Sequence, residues 1–243
     1  MKKPRPPITA PRRRAAFTLV EILAVIAIVM LIAGVVLSIN PGNPEGIVSA
    51  QNSVRNVFRA ARIQSQSENP DRSSNAKVLY NMRSRVIILK DPTLPALNLR
   101  LVRVIIGGTE KSESTQPEDY WWFSTGTEYI LPKGVYMVDA DAAVQGDGEG
   151  FDDNRRSQLS NKDAPTTEMQ MDYKLTTRGQ KNGGGDKTWY FYEFNSDGTS
   201  NMNFATFMVS VGAWNAQRKR VLCENRDNVA GFWISPSGET VPY

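Results

Sequence analysis

The chain has 243 residues, with 29 lysines and arginines against 25 aspartates and glutamates, a formal charge of +4, one cysteine and no histidine. That length suits one domain with or without an anchor, and 40% hydrophobic with 22% charged residues excludes a wholly disordered chain, a polytopic membrane protein and a collagen-like fibre. Without histidine there is no Ser-His-Asp triad, histidine-bound zinc or imidazole acid/base, and the single Cys223 excludes an internal disulfide framework and a four-cysteine metal site.

The first sixteen residues hold Lys2, Lys3, Arg5, Arg12, Arg13 and Arg14 and no acid. Setting those six aside leaves 23 basic against 25 acidic residues, so residues 17–243 carry −2. A short basic, proline-rich tract reads either as a nucleic-acid arm or as a cytoplasmic flank. The next segment decides for the flank. Phe17 to Ile39 is an almost uninterrupted apolar run with one charge, Glu21. As a helix it spans about 34 Å, at about 1.5 Å per residue, enough for a hydrocarbon core of about 30 Å. It exceeds the h-region of a secretory signal, and its small pair, Ala15-Ala16, precedes the run instead of following it. The expectation is a retained membrane helix, with the N-terminus cytoplasmic and the bulk of the chain exported.

An ionised Glu21 in the first turns of such a helix carries a penalty of up to ~3 kcal/mol. Either it stays hydrated at the interface, or a neighbouring subunit supplies a cation. Arg-Arg-Arg-Ala-Ala, Phe-Thr-Leu-Val-Glu and an apolar helix together resemble the type III signal of prepilins. The resemblance implies cleavage by prepilin peptidase between Ala16 and Phe17, N-methylation of Phe17, and pairing of Glu21 with the terminal amine of an adjacent subunit. A new ammonium within reach of an otherwise unpaired carboxylate in low dielectric is physically consistent with that pairing. Glycine usually precedes the cut in this family; here Ala16 stands there.

Asn40-Pro41-Gly42-Asn43-Pro44-Glu45-Gly46 is dense in helix breakers, so a kink near Pro41–Pro44 is expected. From Ile47 to Glu68, Ile47, Ala50, Val54, Val57, Phe58 and Ala61 share one helical face, and Arg55, Arg59, Arg62, Gln64 and Gln66 line the other. Such a helix needs a sheet to cover it, and it resembles the membrane-distal half of the pilin spine. Strands are predicted at Lys77–Asn81, Arg85–Leu89, Leu97–Ile106, Tyr120–Ser124, Glu128–Leu131, Val135–Val138, Trp189–Phe194, Phe204–Val211, Arg220–Cys223 and Phe232–Ser235, with turns at Asn195–Gly198 and Ser235–Gly238. The predicted class is α+β: a long N-terminal helix packed through its distal part on an antiparallel sheet. The predicted parts are a cleaved leader (1–16), a membrane and assembly helix (17–39), a hinge (40–46) and a periplasmic domain (47–243) with a mobile insertion at about 139–187. Leu131-Pro132-Lys133-Gly134-Val135 and the final Gly-Phe-Trp-Ile-Ser-Pro-Ser-Gly are similar to the globular domain of the GspH-type minor pseudopilin.

Three segments invite chemistry. Asp139, Asp141, Asp147, Glu149, Asp152 and Asp153 alternate with glycine and alanine. Carboxylates so interleaved can wrap Ca²⁺, and the related major pseudopilins bind calcium in a loop, but Ala143 breaks EF-hand spacing; a solvated acidic loop is the plainer reading. Gly183-Gly184-Gly185 lacks the Gly-Lys-Ser/Thr of a phosphate loop. Trp121-Trp122-Phe123 and Trp189-Tyr190-Phe191-Tyr192 could stack on bases or sugars, though strand-core packing explains them more simply.

The expected function is assembly without turnover: a pseudopilin or pilin of a type II secretion or type IV pilus filament. Its expected partners are other pilin subunits, prepilin peptidase and an inner-membrane platform, with no nucleic acid and no cofactor beyond the calcium reading. Two rivals remain, a tethered binding module with an exposed aromatic groove and a hydrolase using two fixed carboxylates. The acidic residues lie in a glycine-rich loop, which argues against the hydrolase.

Overall fold

The structure, a computed structural model, describes residues 44–66, 79–110, 113–114, 116, 119–146, 167–175, 179–200 and 205–242. The leader, the apolar run and most of the predicted hinge lie outside the described residues. The chain divides into two units, Met1–Asn40 and Pro41–Tyr243, and every described residue belongs to the second.

Helix α1 runs Pro44–Ser65, opening at a proline inside the range predicted as a hinge. Proline suits the first helical position, where its missing N–H would have no partner anyway. Ile47, Ala50, Val54, Val57, Phe58 and Ala61 are buried, the face that the 3.6-residue period predicted. At the far end, Ser84 donates to the Ala61 carbonyl at 2.6 Å and Ser65 donates to that of Arg62 at 2.7 Å. The Arg62 carbonyl is one that the last helical turn leaves open.

Twelve strands succeed it among the described residues: β1 Tyr80–Lys90, β2 Leu101–Thr109, β3 Tyr120–Ile130, β4 Val135–Met137, β5 Ala143–Val144, β6 Thr167–Met171, β7 Gln180–Lys181, β8 Lys187–Asn195, β9 Ala205–Asn215, β10 Arg220–Cys223, β11 Val229–Ile234 and β12 Thr240–Pro242. The first sheet has the order β6-β8-β1-β2-β3-β7, antiparallel throughout. The second runs β12-β11-β9-β10-β5, with β4 also on β9, and β10 pairs β5 in parallel.

The α+β prediction is therefore corrected. The described residues are mostly β-sheet with one 22-residue helix, and the long N-terminal helix is not among them. The sequence period underestimates strand content for identifiable reasons. Two predicted strands merge into β1, because Asn81 sits at φ 53 without ending the ladder and Arg83 and Arg85 disguise the alternation. Two more merge into β3 across a bulge at the exposed Gly126, φ 77. Conversely, Leu97–Arg100, predicted as strand, is turn, held by Asn98, whose Oδ1 accepts from the Asp91 amide at 2.8 Å. Within the predicted insertion, Ala143–Val144, Thr167–Met171 and Gln180–Lys181 are paired strands.

The first sheet is curled. Strands β6 and β7 lie at opposite edges, yet the Asp172 amide donates to Gln180 Oε1 at 3.1 Å, and the Asn182 amide donates to the Tyr120 carbonyl at 3.1 Å. Gly185 presses so closely on the Met171–Asp172 backbone that a Cβ would lie 1.8 Å from the Met171 carbonyl carbon. Period two then sorts β1. Ser84, Val86 and Ile88 join the core shared with α1 and the second sheet, while Ile87 and Leu89 fill the other face with Ile105, Trp122, Met171 and Trp189.

The two predicted turns meet each other. Gly198 (φ 79) and Gly238 (φ 80) close them, the Ser200 amide donates to the Pro236 carbonyl at 3.0 Å, and a Cβ on Gly238 would sit 2.1 Å from the Gly198 oxygen. Gln66, just past α1, donates to the Asp197 carbonyl of the first turn, and Arg59 to Thr240 Oγ1 on β12, which follows the second, each at 3.0 Å.

Candidate functional site

Of the two aromatic runs, Trp122, Trp189, Tyr190 and Tyr192 are fully buried and pack the core, whereas Trp121, Phe123 and Phe191 are half-buried. Inside the curl, Trp122 and Phe191 enclose charge. Arg85 on β1 is 4% exposed and donates through Nε to Glu193 Oε2 at 2.7 Å, while Arg83 donates to Oε1 of the same carboxylate at 2.6 Å. The Arg85 guanidinium carbon lies 4.0 Å from the Trp122 ring centre and 3.8 Å from that of Phe191. Its Nη1 donates to Asn182 Oδ1 at 3.2 Å. Burial lowers the pKa of Arg85, and the Glu193 carboxylate opposes that shift. Both oxygens of Glu193 and both faces of the guanidinium are occupied, so the group locks β1 to β8 and the two aromatic strands. Sequence reasoning passes over these residues, because charges within a strand pattern read as its solvated face. The signal is nonetheless there: Arg83, Arg85 and Glu193 sit in phase with large apolar neighbours.

Asp139 lies just after β4 and is 7% exposed, and its Oδ1 finds no hydrogen-bond partner. Burial first, and the neighbouring Asp141 carboxylate second, push its carboxyl up to about 6, against the pull of Lys90 and nearby backbone amides. Nearby Cys223 is buried, and burial pushes its thiol up to about 11, so it is a protonated core residue. Because folded Asp139 holds its proton more tightly than the unfolded chain, stability rises as pH falls through about 6 and the gain is complete below the ordinary 3.8. Asp139→Asn is therefore expected to stabilise the fold at neutral pH by up to ~3 kcal/mol, the difference vanishing in acid. Denaturant titrations across that range measure it, and a pH-independent difference would contradict the assignment.

The acidic run comes only partly into view. Asp139 is buried and Asp141 exposed, whereas Asp147, Glu149, Asp152 and Asp153 lie outside the described residues. Among the described residues no group of three or more histidine, cysteine, aspartate or glutamate side chains is placed to hold a metal. Also among them, no helix is long and apolar enough to cross a membrane. Ala16, Phe17 and Glu21 lie outside them as well.

All three fall within the segment that resembles a known family. Residues 11–37 match the family model described as the prokaryotic N-terminal methylation motif. That segment resembles a prepilin-type N-terminus. The matched segment contains Ala16, Phe17 and Glu21. It supports a type IV pilin-like subunit that a peptidase processes and that assembles with other pilins. No curated protein and no solved structure matches the chain. The prepilin-like signal thus occupies one short segment, ahead of the described β-rich domain.

Proposed function

We propose that this prepilin-like chain is a structural subunit of a type II secretion or type IV pilus filament. Prepilin peptidase cuts between Ala16 and Phe17 and Phe17 is N-methylated, after which the Phe17–Ile39 helix carries the chain from the inner membrane into the filament. Glu21 pairs with the terminal ammonium of a neighbour, and the domain from Pro44 onward sits on the periplasmic side. The observation that carries this reading is the methylation motif at residues 11–37. Within the class, the GspH-type minor pseudopilin is the favoured type, on the strength of Leu131–Val135 and the Gly231–Gly238 turn. The mechanism is association: apolar side chains pack between subunits, and one buried charge pair sets their register.

Glu21→Ala tests this reading. The variant is expected to insert and to be processed, with a methylated Phe17 seen by mass spectrometry of the mature chain, and to be lost from sheared filaments. Normal incorporation would refute the charge-pair mechanism, and an unprocessed Met1 terminus in cells with active peptidase would refute the prepilin reading.

A further inference from the structure

Asn182-Gly183 is the only Asn-Gly step in the sequence. It comes directly after β7, where the first sheet curls back on itself, and both ends of Asn182 are held. Its amide donates to the Tyr120 carbonyl at 3.1 Å, and its side-chain Oδ1 accepts from Arg85 Nη1 at 3.2 Å. Gly183 is exposed, at φ +84, and nothing lies within 4 Å of the place a Cβ would take. An attacking backbone nitrogen at that residue therefore meets no side-chain obstruction.

Arg85, Arg83 and Glu193 set two guanidinium groups against one carboxylate, with Arg85 almost wholly buried. Among the described residues, Arg85 Nη1 also donates to the Met169 sulfur at 3.6 Å and to the neutral Asn182 amide, where an anion would complete the pairing. We propose that Asn182 is a self-modifying site, deamidating in the folded protein to an aspartate that supplies the second carboxylate to Arg85.

The chemistry uses only water as co-reactant. The Gly183 amide nitrogen loses its proton and bonds to Asn182 Cγ, while the Cγ=O electron pair moves onto Oδ1. The electron pair on Oδ1 then re-forms the Cγ=O bond as the Cγ–Nδ2 bond breaks, and Nδ2 takes up the proton released by the Gly183 nitrogen, passed on by water, and leaves as ammonia, giving a cyclic imide. Water opens that ring at the side-chain carbonyl to give aspartate, or at the main-chain carbonyl to give isoaspartate. Arg85 donates to Oδ1, the oxygen on which charge gathers during the attack, so the buried guanidinium acts as a fixed oxyanion donor. Asn182 is held where its modification is promoted and its product is paired.

The test uses the full-length protein in detergent micelles at mildly alkaline pH, with peptide mass mapping of every asparagine over time. A parallel sample in denaturant is mapped alongside. Conversion at Asn182 is expected about 10-fold or more ahead of the other asparagines, and no slower than in denaturant. Asn182→Asp is expected to melt about 2–4 °C higher than the wild type, as a new charge-assisted bond would give in a domain of this size. Slower conversion in the folded protein than in denaturant would overturn the role of Arg85. An unchanged or lowered melting temperature for Asn182→Asp would overturn the pairing.

Discussion

Replacing Glu193 with alanine is expected to destabilise the domain by ~3–5 kcal/mol, the penalty for leaving a buried cation without its partner. The melting temperature should fall on the order of 10 °C in a domain of this size. Glu193 is 8% exposed and answers both Arg83 at 2.6 Å and Arg85 at 2.7 Å. Its loss strands Arg85 between the Trp122 and Phe191 rings, which attract a guanidinium but accept no hydrogen bond of comparable strength. Removing both sides of the pair should be far milder. Arg85→Met combined with Glu193→Leu leaves only the part-exposed Arg83 without its carboxylate and should recover most of the stability. Thermal unfolding monitored by circular dichroism distinguishes these outcomes; a double variant as unstable as the single one would show that packing, not charge, sets the cost.

The second large effect is expected at Phe58. Its ring lies 4.6 Å from that of Phe207, 5.3 Å from that of Phe232 and 5.9 Å from that of Tyr192, measured between centres. Phe207 and Phe232 belong to the second sheet and Tyr192 to the first, so one helical side chain joins all three layers. Phe58→Ala should cost ~3–5 kcal/mol from lost transfer energy and the cavity it opens. Phe58→Leu should cost less, typically under ~1.5 kcal/mol if neighbours relax into the space. Urea titrations give both values, and a cost below ~1 kcal/mol for the alanine variant would mean the layers close over the gap.

How far the sequence anticipates this depends on the kind of information each element needs. Helix α1 is legible in register because its buried face repeats locally, at Ala50, Val54, Val57, Phe58 and Ala61. The turns at Gly198 and Gly238 are legible because each demands a left-handed residue. Strands β5, β6 and β7 are not, being short or polar and stabilised by partners far along the chain; β6, for instance, pairs Met169 with Trp189. The Arg85–Glu193 pair spans 108 positions, and no local period reports that two charges will share a buried site. Asp139 stands out in the sequence as part of an acidic run, but its burial arises from packing that composition does not encode. The processing signal is the reverse case. The methylation motif is linear, so residues 11–37 match it without reference to the fold.

The clasp at the end of α1 has a mechanical consequence. Gln66 fastens the end of the helix to the Asn195–Gly198 turn of the first sheet, Arg59 fastens it to β12 of the second, and Ser84 adds a third tether from β1. Tension drawn along the helix from its Pro44 end would load these fastenings in shear and share the force between both sheets. Such a domain resists tearing the way a lap joint does, by spreading a pull over parallel bonds instead of peeling them one at a time.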